Sequence, residues 1–367
     1  MARSLLHKQG SDTGASVESP GMEKEIRTMS NKPRIAILLG DASGVGPEVV
    51  VKLIADKTLQ ALCDPLLLGD QTVLEWGMRD ASLQIPYTII KNVQEEVPPH
   101  HVKLLQMPHP KLDSVVTGQV NRQCGIACMA MMEKAVELWK RGEVLGICYA
   151  PLNKSALLEA DCPAQSETEY FAQLLEHKGA FGEVNMVDNV WTTRVTSHVP
   201  IKQVSDELTI ESILDNIRLA QNTLLQAGFA KPRIGVAALN PHAGENGRCG
   251  REELDVISPA IQLAQQEGID ASGPYSSDTL FIRAFAGDFD AGVTMYHDQG
   301  QIALKLKGFG RGVTIGGGFQ IPITTCAHGT AFDIVGKGVA DSGSMKSALK
   351  TVIHMAQSIM EQKVHSI

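Results

Sequence analysis

Between Met295 and Lys305 the chain sets an imidazole (His297), a carboxylate (Asp298), an amide (Gln299) and an ammonium (Lys305) close together, directly after the apolar run Ala291–Met295. Open α/β sheets bind ligands at the carboxyl ends of their strands, so this cluster reads as the edge of an active site. His297 is a candidate metal ligand or acid–base group, and Asp298 a candidate catalytic neighbour that orients it. Lys305 is a candidate contact for an anionic substrate. The plainer reading is a histidine in a turn followed by an aspartate that caps a helix.

Two further histidines stand among turn formers after strand-like runs. His198 lies in Thr196–Pro200, and His242 lies in Asn240–Gly247 with Glu245 and Asn246. An imidazole at a strand end can ligate a divalent ion or transfer protons, or simply bond within its loop. Gly40–Glu48 follows a strand and opens a helix; its free N–H groups can cradle an anion or make a tight turn. It lacks full G-x-G-x-x-G spacing, and no Lys-Ser/Thr pair follows the glycines, which counts against a phosphate-transfer enzyme. In Ala327–Asp341, small residues are interwoven with His328, Thr330 and Asp333, so the backbone can approach a flat ligand such as adenine.

These groups need a scaffold that brings strand ends together. Buried strands are expected at Ile35–Leu39, Pro65–Leu68, Val144–Ala150 and Arg233–Leu239. Helices are expected at Gly46–Ala55, Gly125–Arg141, Glu207–Ala227 and Glu252–Glu267. The alternation implies an α/β fold with mostly parallel sheets and helices on both faces. Residues 33–149 plus 300–367 are expected to form an outer domain and residues 150–299 a second one, with a cleft between them; residues 1–32 are read as a disordered extension.

The 367 residues carry a net charge of −8, and 43% of them are hydrophobic. With no basic stripe, the electrostatic footprint of a nucleic-acid binder is missing. No apolar run reaches the length of a membrane span. Seven scattered cysteines favour reduced thiols and a cytoplasmic setting, with Cys124 and Cys128 read as core packing on one helix.

Taken in order, Gly40–Glu48, Ala150–Lys154, Thr196–Pro200, Asn240–Glu253, Tyr296–Lys305 and His328–Gly338 resemble the motifs of the 4-hydroxythreonine-4-phosphate dehydrogenase (PdxA) family of pyridoxine biosynthesis, across roughly residues 34–360. The stretch from His328 to Asp341 is also similar to the cofactor loop of isocitrate and isopropylmalate dehydrogenases. The resemblance implies an isocitrate/isopropylmalate dehydrogenase-like two-domain fold. It also implies a homodimer with the active site at its interface, NAD or NADP, and a divalent metal (Zn, Mg, Mn or Co) that assists oxidation and decarboxylation of a hydroxy acid. His198 and His297 match two of the family's metal ligands. Glu167 stands where the third is expected, in Ser166-Glu167-Thr168-Glu169. Asn153, Lys154 and Lys305 match substrate contacts, as do the positions of Thr314 and Ile323. His328, Thr330 and Asp333 are the expected cofactor contacts, with His242, Glu245 and Asn246 on the opposite wall.

Three of these positions depart from the family: Glu167 replaces a histidine, Thr314 an asparagine, and Ile323 the arginine that helps bind the phosphorylated substrate. Losing a guanidinium removes a bidentate phosphate partner. The expectation is an altered, unphosphorylated hydroxy acid or a dihydrodiol carboxylate; a ligand-binding protein that lost its chemistry is the alternative.

Overall fold

The computed structural model describes residues 32–365, so the expected disorder of residues 1–32 falls, apart from Lys32, outside the described residues. Twelve strands form one sheet: β1 Arg34–Leu38, β2 Asp64–Gly69, β3 Tyr87–Ile90, β4 Val102–Gln106, β5 Gly146–Tyr149, β6 Gly182–Val187, β7 Val190–Arg194, β8 Ile234–Ala237, β9 Ala271–Tyr275, β10 Ala291–Thr294, β11 Val313–Gly317 and β12 Ile323–Cys326. Their order is β3-β4-β2-β1-β5-β12-β11-β6-β7-β10-β8-β9.

Pairing is parallel from β3 to β12, antiparallel across β12-β11-β6-β7, and parallel again from β7 to β9. The reversals turn the second parallel block against the first, so their carboxyl ends lie at opposite edges of the sheet. Helices cover both faces. Central strands are therefore continuous apolar runs: Ile35 to Leu39 are fully buried.

The α/β fold is as expected; several boundaries are not. The expected helix Glu207–Ala227 is two, Val204–Glu207 and Ile210–Gln226, because Thr209 and Ser212 close a reciprocal capping box that starts the second. The expected helix Glu252–Glu267 opens with a π-helical turn, Glu253–Ile257, before Ser258–Gln266. The long helix starts earlier than expected, at Arg122, because the Asn121 side chain accepts from the Gln123 N–H at 2.8 Å. All seven cysteines are free, and Cys124 and Cys128 are buried. No helix of the described residues is long and apolar enough to cross a membrane.

Candidate active site

Two adjacent parallel strands, β7 and β10, carry the imidazole pair. Their ladder continues past the strands through Val195 N–H to Thr294 O (2.8 Å) and Thr196 N–H to Met295 O (3.1 Å). This holds the two following loops side by side, and the rings of His198 and His297 stand 6.1 Å apart, tilted by 39°. His297 opens the helix His297–Gly308. Its Nδ1 is 2.7 Å from the Asp298 carboxylate. A carboxylate there favours the tautomer with a proton on Nδ1 and leaves the Nε2 lone pair for a ligand. Gln299 locks the start of the helix, accepting from Met295 N–H at 2.7 Å and donating to Ala238 O at 2.8 Å.

Glu167 does not complete this pair within the chain. Among the described residues no three His, Cys, Asp or Glu side chains gather as a metal site. Glu167, expected as the third ligand, starts the helix Glu167–Leu174 and faces a separate space in the same chain.

That space is a polar cleft of about 420 Å³, where Asn153, Lys154, Glu167, Thr314, His328 and Thr330 come together with Tyr149, Glu183, Thr325 and Cys326. Strand register explains the convergence. Tyr149 pairs with Thr325, Thr325 with Thr314, and Thr314 with Asn185, so one polar row crosses β5, β12, β11 and β6 on a single face. Burial raises the Glu167 carboxyl pKa above its ordinary value, against a smaller lowering by Lys154. The neighbouring Cys326 side chain pushes His328 up to about 9 despite its burial. The His328 Nε2 is buried without a partner. Asn153 spends its oxygen capping the helix Lys154–Glu159 (Ala156 N–H, 3.0 Å), which leaves its amide N–H facing Thr330 Oγ1 at 3.4 Å.

Other expected contacts lie elsewhere. Ile323 is 1% exposed and packs in the core, so it offers no surface to a ligand. Lys305 lines a crevice of about 20 Å³ beside Asn185 and Gln301, too small for a substrate. Asp333 is exposed on a turn. His242, Glu245 and Asn246 lie on a left-handed turn, all with φ between 45° and 55°. Each non-glycine residue held so costs about 1–2 kcal/mol. The buried Glu253 carboxylate clamps the entry to that turn, accepting from the N–H groups of Leu239 (2.9 Å) and Asn240 (2.7 Å).

The Gly40–Glu48 turn proves to be a brace. Val45 N–H bonds Thr330 O at 3.0 Å. A Cβ on Gly44 would stand 2.8 Å from the Thr330 Cβ, which requires glycine there. Glu48 accepts from Ala340 N–H (3.0 Å) and pairs with Lys52 (2.7 Å), whose ammonium also reaches Gly338 O and Ala340 O. The 328–341 loop is thus tied down at both ends. Beside the turn, at the carboxyl ends of β1, β2 and β4, lies an apolar cavity of about 280 Å³ walled by Gly40, Val73, Met107, His109 and Met131.

The residues missed from the sequence are Glu183, Asn185, Arg194 and Gln301. A signal existed for the first strand: in Gly182–Val187 the polar residues Glu183 and Asn185 stand two apart among apolar ones, the mark of one polar face.

Fold and site together define an α/β enzyme with a polar substrate-sized cleft on the sheet and a histidine pair at a strand edge. The model of the family described as pyridoxal phosphate biosynthetic protein PdxA matches residues 61–352. A Pseudomonas aeruginosa protein, provisionally named a second 4-hydroxythreonine-4-phosphate dehydrogenase, is 43% identical over 89% of this chain and 97% of its own length. The crystal structure of a 4-hydroxythreonine-4-phosphate dehydrogenase from Burkholderia phymatum superposes with a TM-score of 0.77 at 37% identity, covering 88% of this chain and 98% of that one. A terephthalate 1,2-cis-dihydrodiol dehydrogenase from Burkholderia xenovorans LB400 superposes at 0.61 and 25% identity, with 88% and 98% covered. The chain belongs to the PdxA family, and it is a dehydrogenase acting on a CH–OH group.

Proposed function

We propose that this dehydrogenase oxidises an unphosphorylated hydroxy acid bound in the 420 Å³ cleft, with NAD or NADP as hydride acceptor and a divalent ion at His198 and His297. The observation that carries the reading is the convergence of Lys154, Glu167, Thr314, His328 and Thr330, from distant parts of the chain, on one cleft.

The donor set fits both groups. Two imidazoles, one held by Asp298, suit a divalent ion, and the unpartnered His328 Nε2 suits an anionic ligand. Bound there, and set against the cleft of a second chain, a divalent ion (Zn, Mg, Mn or Co) would polarise the substrate oxygen and offset the charge left by departure of a neighbouring carboxylate, while NAD or NADP would take the hydride. Lys154 forms no ion pair or hydrogen bond among the described residues, and is the cation available to a substrate carboxylate. Thr314, Thr325 and Thr330 offer hydroxyls to the substrate's own. Asp298 holds the His297 proton on Nδ1.

The cleft disfavours a phosphate. The Ile323 side chain is in the core, and among the described residues no guanidinium lines the cleft.

Two histidines leave a metal site incomplete, and the helix that His297 opens carries two exposed apolar side chains. Ile302 and Leu306, one turn apart on that helix, are 58% and 85% exposed. We read this as the face of a homodimer that brings a second chain to the site, with residues 33–149 plus 300–367 and residues 150–299 as the two domains flanking the cleft. A second reading, oxidation of an aromatic dihydrodiol carboxylate, draws on the likeness to the terephthalate dihydrodiol dehydrogenase.

The test is a panel of 4-hydroxythreonine, its 4-phosphate, other hydroxy acids and terephthalate dihydrodiol, with each cofactor and several divalent metals. Turnover fastest with an unphosphorylated acid supports the proposal; preference for the 4-phosphate overturns its substrate.

A further inference from the structure

Arg194 ends β7, yet its side chain is only 8% exposed, and each part of its guanidinium is engaged. Nη2 pairs with Glu183 at 2.5 Å, Nη1 donates to Asn185 Oδ1 at 2.6 Å, and Nε donates to Ser197 Oγ at 2.7 Å. The partners lead to different places. Glu183 lines the cleft. Asn185, itself 8% exposed, donates to Thr314 Oγ1 in the cleft wall at 3.1 Å and accepts from Gln301 on the helix that His297 opens, at 2.6 Å. Ser197 precedes His198.

A buried guanidinium is costly unless it is paired and its donors are used. A hydrophobic residue at this sheet position would fill the same space without that cost. The network is thus poorly explained by packing alone, and it connects the two halves of the site: one arm reaches the cleft, another the His198 loop, and Asn185 joins both to the His297 helix.

We propose that Arg194 is a positioning residue that sets the cleft wall through Asn185 and Glu183 and the His198 imidazole through Ser197. This rests on the reading that the cleft takes the substrate and the histidine pair a metal. Neighbours that orient metal-ligating groups typically change metal affinity by about 10- to 100-fold when removed.

The arms are separable in the full-length protein by measuring Co(II) affinity calorimetrically, alongside KM and kcat for the best substrate found. Ser197→Ala should weaken Co(II) binding about tenfold with KM little changed. Asn185→Leu should raise KM by about five- to tenfold, the scale of one or two lost hydrogen bonds, with a smaller effect on Co(II). Arg194→Met should do both, and Arg194→Lys, which keeps the charge beside Glu183, should recover part of the KM loss. Should Arg194→Met not fold, the Ser197→Ala and Asn185→Leu pair decides alone. Wild-type Co(II) affinity and KM in Arg194→Met, or equal losses of both quantities in Ser197→Ala and Asn185→Leu, would overturn the proposal. If the wild-type protein itself binds no Co(II), or His297→Ala leaves its binding unchanged, the metal reading fails and takes the proposal with it.

Discussion

His198 and His297, far apart in the chain, stand with their rings 6.1 Å apart because the loops after β7 and β10 continue the parallel ladder of those strands. The spacing is therefore a property of the sheet, not of flexible loops, and it makes the metal reading testable one side chain at a time.

Replacing either His198 or His297 with alanine should weaken divalent-metal binding by two orders of magnitude or more, roughly the contribution of one imidazole ligand. Asp298→Asn, which keeps the shape but weakens the hold on the His297 Nδ1 proton, should cost about tenfold. Glu167→Ala should weaken metal binding, as expected of the third ligand supplied across a dimer, and also act on KM, since Glu167 lines the cleft. Calorimetric titration of each variant checks the ranking.

Restoring an arginine at position 323 should fail to create a phosphate site. Ile323 is 1% exposed, so Ile323→Arg buries an unpaired guanidinium, expected to cost about 3–5 kcal/mol. The measurement is thermal unfolding: a marked fall in Tm is expected, and an unchanged Tm with improved binding of phosphorylated substrate would show that the strand can turn this side chain outward.

The sheet was legible in the sequence, but the site only in part. Apolar runs such as Ile35–Leu39 announce buried strands because both faces are covered by helices. The histidines announced themselves by standing among turn formers after such runs. The grouping of Glu167 with the histidines came from a motif and not from any local pattern, because alignment to a motif says which residue stands at a position and not which surface it shares. The Glu183, Asn185 and Arg194 network escaped because its register comes from antiparallel pairing of β6 with β7 and β11. Local alternation hints at a polar face, but which strands pair is a long-range outcome. The left-handed turn at His242–Asn246 is likewise set by the distant clamp of Glu253.

Stability should fall with rising pH because of Glu167. Burial raises its folded-state pKa above the unfolded value, so the native state binds more protons between the two pKa values, and stability drops as pH climbs through that window. Glu167→Gln removes the effect. Its Tm should match wild type below about pH 4, under the unfolded pKa, and exceed it near about pH 8. Equal Tm differences at both pH values would show that the carboxyl is not held protonated by burial.

Leu306 is 85% exposed and Ile302 58% on the helix that begins at His297. If this face joins two chains, Leu306→Asp should shift the protein toward monomer in analytical ultracentrifugation and weaken metal binding together with it. A monomeric wild type, or a dimeric variant with unchanged metal affinity, would dissociate the surface from the site.

The most direct test of the central claim is the rate of nicotinamide reduction by chelator-stripped protein with 4-hydroxythreonine, its 4-phosphate and other unphosphorylated hydroxy acids, before and after addition of a divalent metal. The account predicts turnover restored by metal, lost in His297→Ala, and fastest with an unphosphorylated acid. Metal-independent turnover, or the 4-phosphate as the preferred substrate, would contradict it.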